Sequence, residues 1–179
     1  MKKHLLILLI LTIFILTGCN SSNNRKKAEE HLIKGIDYQE KGDIEKAIKE
    51  YRDAVSIDSK YGEAYFNLGY ACICQGDMKK AIEFYKTAIE LEPDNPNFHY
   101  GLGMAYSIIN DPKKALEHYK VSLKLDPKNE LSHLGAAMSY EKLGDKELAL
   151  AHYRECLNIN PKGPNSDKVR SYIENLEGK

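Results

Sequence analysis

Tyr51, Tyr85, Tyr119 and Tyr153 stand 34 residues apart. The same step relates Asp43, Asp77, Asp111 and Asp145, and again Ala47, Ala81, Ala115 and Ala149. Gly35, Gly69 and Gly103 keep it with Ala137 in the fourth place, and Pro93, Pro127 and Pro161 keep it with Ser59 in the first. Residues 28–163 therefore divide without insertion into four blocks, 28–61, 62–95, 96–129 and 130–163. Such a period means that each block is a small unit that buries its apolar face on its neighbours, and about three units are needed for stability. The expected product is an open stack.

Each block reads as two helices. In the second, Tyr65, Leu68, Gly69 and Cys72 give the i, i+3, i+4, i+7 stripe of an amphipathic helix. Gly76 then supplies a left-handed C-cap and Asp77 an N-cap for the next helix, whose stripe is Ala81, Ile82, Tyr85, Ala88 and Ile89. Pro93 stops it. Gly69 and Ala81 are expected to let the two helices approach, with Tyr85 filling space beside the next pair. Residues 164–179 predict a ninth helix, N-capped by Ser166, whose stripe of Val169, Tyr172, Ile173 and Leu176 covers the last apolar face.

The runs Tyr65-Phe66-Asn67-Leu68-Gly69-Tyr70-Ala71 and Gly76-Asp77-Met78-Lys79-Lys80-Ala81-Ile82-Glu83-Phe84-Tyr85 resemble the tetratricopeptide repeat. The resemblance covers 28–163 and implies an all-α fold, a right-handed α-α superhelix of four repeats with a C-terminal capping helix at 164–179. Departures are Lys34 for a usual Leu, Cys72 and Cys156 for Tyr and Ala, and Asn110 for the turn Gly, all expected to weaken packing only locally.

The front of the chain reads as an address. Lys2 and Lys3 precede an apolar run from Leu5 to Leu16 that is short for a membrane span but suits a signal peptide. Leu16-Thr17-Gly18-Cys19 resembles the lipobox of bacterial lipoproteins. That resemblance implies removal of 1–18, lipidation of Cys19 with diacylglycerol and a further acyl chain such as palmitate, and stable anchoring on the extracytoplasmic side of a bacterial membrane. Asn20 stands where Asp would mark inner-membrane retention in enterobacteria, which points to the outer membrane where the host has one. Residues 19–27 are expected to be the anchor and a polar tether.

Charge excludes some partners. The full chain balances 26 basic against 26 acidic groups, and loss of Lys2 and Lys3 leaves a slightly acidic protein. That is unsuited to neutralising nucleic-acid phosphates. Of the six histidines, His31, His99 and His133 share one place in their blocks, and His118 and His152 share another. Tyr65 and Phe84 hold those places in the second block, so the histidines read as packing aromatics. Ligand spacing such as H-E-x-x-H is absent, and no metal or cofactor is expected. Cys72 and Cys74 lie roughly 200° apart around one helix and should not pair. Cys72 and Cys156 read as core residues, and Cys74 as reachable. No nucleophile elbow, P-loop or dinucleotide fingerprint occurs, so the chain is read as a non-enzyme without a small-molecule substrate.

The resemblance places partner binding on the concave surface lined by the first helix of each repeat. The fifth and ninth residues of the blocks face it: Leu32 and Ile36, Phe66 and Tyr70, Tyr100 and Met104, Leu134 and Met138. All eight are apolar or aromatic, which predicts a groove for an extended peptide or the apolar face of a helix. The competing use of these side chains is packing between first helices, against 164–179, or against a second copy. Relatives that grip chaperone carboxylates carry Lys and Asn in these places of their first repeat; Leu32 and Ile36 argue against that clamp, although Asn67 matches one further position. The expected function is a lipid-anchored scaffold or adaptor for assembly of a cell-envelope complex, with homo-oligomerisation left open. The alternative is a periplasmic holdase for unfolded segments.

Overall fold

A computed structural model describes residues 22–178. Every regular element among them is a helix: α1 (22–40), α2 (Ile44–Ile57), α3 (Gly62–Cys74), α4 (Met78–Leu91), α5 (Pro96–Ile108), α6 (Pro112–Leu125), α7 (Glu130–Leu143), α8 (Lys146–Ile159) and α9 (Ser166–Glu177). Each helix packs on the next along the chain from α2 to α9, which is the connectivity of a solenoid.

The turn within each repeat is built the same way four times. Gly42, Gly76, Asn110 and Gly144 take positive φ of 80°, 79°, 61° and 83°. The amide of the following Asp then bonds back to the carbonyl of Tyr38, Cys72, Tyr106 or Tyr140, each at 2.9 Å. Each Asp carboxylate in turn caps the next helix, accepting from the backbone N–H of Lys46, Lys80, Lys114 or Leu148. Asn110 holds the same backbone as the glycines because its short polar side chain tolerates the left-handed region. The turn is therefore intact in the third block.

Alanine and tyrosine make the core. Ala47, Ala81, Ala115 and Ala149 are fully buried, and Tyr51, Tyr85, Tyr119 and Tyr153 nearly so. Tyr85 packs against glycines on both neighbouring first helices. A Cβ at Gly69 would lie 2.8 Å from the Tyr85 ring, and one at Gly101 would lie 2.7 Å from it. Tyr85 thus fills the space within its own helix pair as well as beside the next.

Both ends differ from expectation. Asn165, not Ser166, occupies the N-cap of α9 and makes no side-chain cap bond; Ser166 is buried and donates its hydroxyl to Asn160 O at 2.8 Å. Val169 is buried beneath α9 and Tyr172 packs 5.3 Å from Tyr153, as a cap should. At the other end, residues 22–27 of the expected tether are already helical. Arg25 is the reason: it pairs with Asp58 at 2.6 Å and lies 4.3 Å above the ring of Tyr61, which docks polar residues onto the end of the first repeat. The expected signal segment 1–18 and Cys19 lie outside the described residues. Among those described, no helix is long and apolar enough to cross a membrane.

Candidate functional site

First helices pair along the stack, α3 with α5 and α5 with α7, and no second helices pair to that degree. The first helices thus form the crowded inner side of the arc, where the eight groove residues were expected. The structure divides these eight by use. Tyr100, Met104, Leu134 and Met138 converge on one cavity of about 280 Å³ between α5 and α7. Phe66 is half-buried instead, 5.5 Å from both Tyr85 and Phe98, and joins the second repeat to the third. Leu32 is only 4% exposed, in the cluster that contains Tyr51, Ala64 and Leu68, and Ile36 packs against it. Leu32 is therefore core and does not line the groove. Tyr70 remains 40% exposed.

The reason lies in the neighbouring block. Phe98 fills the space in front of Phe66, but its counterpart in the fourth block is Ser132, which turns inward to share a 2.8 Å hydrogen bond with Ser122. Gly135 leaves further room. Its missing Cβ would lie 2.3 Å from Tyr119, which lines the cavity and leaves no space for a side chain there. Tyr119 shares a 3.1 Å hydrogen bond with Ser107, and Tyr100 tilts over it at 6.1 Å. Burial pushes both phenols up, Tyr119 to about 12, so both stay neutral over the ordinary pH range.

The rim is apolar and open. Ile108, Leu131 and Met138 line the cavity yet stay roughly half exposed. Lys142 is the one charged lining residue, its ammonium 3.0 Å from Asn110 Oδ1. The sequence reading missed Ile108, Leu131 and Lys142. Leu131 carried a signal, since Glu29, Glu63 and Asn97 hold its place in the other blocks. An apolar residue where the repeat is otherwise polar marks a surface kept for contact.

The histidines do stand in for aromatics. Tyr65 meets Phe84 with ring centres 6.4 Å apart, His99 meets His118 at 5.9 Å, and His133 meets His152 at 5.1 Å. Tyr106 and Tyr140 also stack on His118 and His152. Cys72 and Cys156 are buried, which pushes their thiols up, Cys156 to about 12, while Cys74 is exposed.

Family comparison agrees with this geometry. A TPR repeat model matches residues 35–73 and 69–107, and tetratricopeptide repeat models match 96–129 and 132–162. The chain belongs to the tetratricopeptide repeat family. An uncharacterized protein of Methanocaldococcus jannaschii is 40% identical over 48 residues, a match spanning 27% of this chain and 56% of that relative. Among solved structures, PilF of Pseudomonas aeruginosa superposes with a TM-score of 0.80 at 16% identity, covering 87% of this chain and 71% of that one. MamA superposes at 0.69 and 22% identity, covering 80% and 84%. Likeness at these identities concerns the fold alone. The family is one of scaffolds for protein–protein interaction.

Proposed function

We propose that this tetratricopeptide repeat protein is a lipid-anchored adaptor that holds an apolar peptide, or the apolar face of a helix, from a protein partner in the cavity between α5 and α7, and so supports assembly of a cell-envelope complex. The observation that carries the reading is the open apolar cavity lined by Tyr100, Met104, Leu134 and Met138 and rimmed by Ile108 and Leu131. Its size suits one or two large side chains, and such anchors supply most of the affinity at an interface. The Leu16-Thr17-Gly18-Cys19 motif supports the anchor.

A photo-crosslinking residue at position 100, used in intact cells, tests the groove. One captured protein in fixed ratio supports the adaptor; a broad set of clients supports the holdase instead. Cys19→Ala tests the anchor separately, with loss of acyl labelling and of membrane association expected.

A further inference from the structure

The first block breaks the ring-on-ring pattern of the others. Where Phe84, His118 and His152 face a ring from the preceding helix, Glu50 faces His31, its Oε2 2.8 Å from Nδ1. Asp53 follows one turn along α2, and one ligand atom from each of the three residues lies within 4.8 Å of the other two. The group is half-buried, with 29% of the His31 side chain and 18% of Glu50 exposed. Among the described residues no Lys or Arg pairs with Glu50 or Asp53. Two carboxylates and an imidazole therefore converge from two helices with no Lys or Arg paired to them, and a dication would balance the two carboxylates.

We propose that His31, Glu50 and Asp53 form a divalent metal site that clamps α1 to α2. One imidazole nitrogen with two carboxylates favours a borderline ion such as Zn²⁺, since Ca²⁺ asks for six to eight oxygens. Binding requires His31 to offer the Nδ1 lone pair, with its remaining proton on Nε2. The brace falls where a solenoid is weakest, because a terminal repeat is supported from one side only. Sequence spacing hides such a site: the histidine and the glutamate are 19 residues apart on separate helices.

The test is titration of the purified full chain with Co²⁺, a spectroscopic stand-in for Zn²⁺, followed by visible absorption and by NMR. One saturable equivalent is expected, with paramagnetic broadening centred on His31, Glu50 and Asp53, and Zn²⁺ should compete for it. His31→Gln and the pair Glu50→Gln with Asp53→Asn should each weaken binding at least tenfold, while His133→Gln with His152→Gln leaves it unchanged. Circular dichroism checks that each variant is folded, and the broadening map of the unsubstituted protein decides the location even if a variant unfolds. Absence of saturable binding, or broadening centred on His133 and His152, overturns the proposal.

Discussion

The buried phenol of Tyr85 has no hydrogen-bond partner, because Ile73 holds the place from which the other three repeat tyrosines are satisfied. Tyr51 donates to Gln39 at 3.2 Å, Tyr119 shares a bond with Ser107, and Tyr153 donates to Glu141 at 2.8 Å. All four rings do the same packing, so the hydroxyls alone separate them. An unsatisfied buried hydroxyl costs about 1–3 kcal/mol, whereas a satisfied one contributes about 1. Tyr85→Phe should therefore leave stability unchanged or raise it, while Tyr153→Phe lowers it by about 1 kcal/mol. Urea unfolding at constant slope measures both. A loss from Tyr85→Phe as large as that from Tyr153→Phe would show that the orphan is solvated.

Gly135 makes a second prediction because two effects oppose each other. Replacing a helical glycine by alanine ordinarily gains about 1 kcal/mol. Here the new methyl would lie 2.3 Å from Tyr119 Cζ, a ring fixed on its other side by the same contact with Gly103. Overpacking of this kind costs about 1–3 kcal/mol, so Gly135→Ala should destabilise on balance. The double variant with Tyr119→Leu should recover part of the loss, which a double-mutant cycle reads directly.

The histidine stacks predict sensitivity to acid. Burial first, then the neighbouring imidazole of His99 or His133, holds His118 and His152 below the ordinary value of 6.5. As pH falls, the unfolded chain takes up these protons before the folded one. The contribution is therefore whole above about pH 6.5 and is lost as pH drops through the folded-state values. Melting temperature followed from about pH 7.5 to 5 should fall, and His118→Phe with His152→Phe should flatten that slope. The carboxylates of Asp43, Asp77 and Asp111 act only at lower pH, since hydrogen bonds from Lys46, Lys80 and Lys114 depress them.

The fold was legible because its determinants recur. Asp77 reads as a cap and Tyr85 as a core residue in one block, and three further blocks repeat the statement. The site was only half legible because it depends on what the next block omits. Tyr100 and Phe66 occupy the same place, yet Ser132 leaves a cavity before one and Phe98 fills the space before the other. The extension of α1 back to residue 22 was hidden for a similar reason, since the contact that orders Arg25 is made by Asp58, a whole repeat away. Local pattern fixes each helix, and pairings between blocks decide which faces stay open.

That distinction chooses the variants for the groove. An aspartate at Phe66 would bury a carboxylate between Tyr85 and Phe98 and unfold the stack, so loss of binding there would say nothing about a partner. Leu131 and Met138 are 43% and 42% exposed, and their substitution by aspartate leaves the charge in water. Leu131→Asp and Met138→Asp should each change stability by less than about 0.5 kcal/mol, as surface substitutions usually do. If the cavity is the partner site, each should reduce capture from position 100 at least tenfold, because a charge in an anchor pocket must be desolvated on binding. Lys142→Ala separates apolar from polar recognition, since it removes the cavity's one charge and leaves its walls in place. Capture unaffected by Lys142→Ala but lost with Met138→Asp marks a purely apolar anchor, and capture lost in both marks an acidic group beside that anchor.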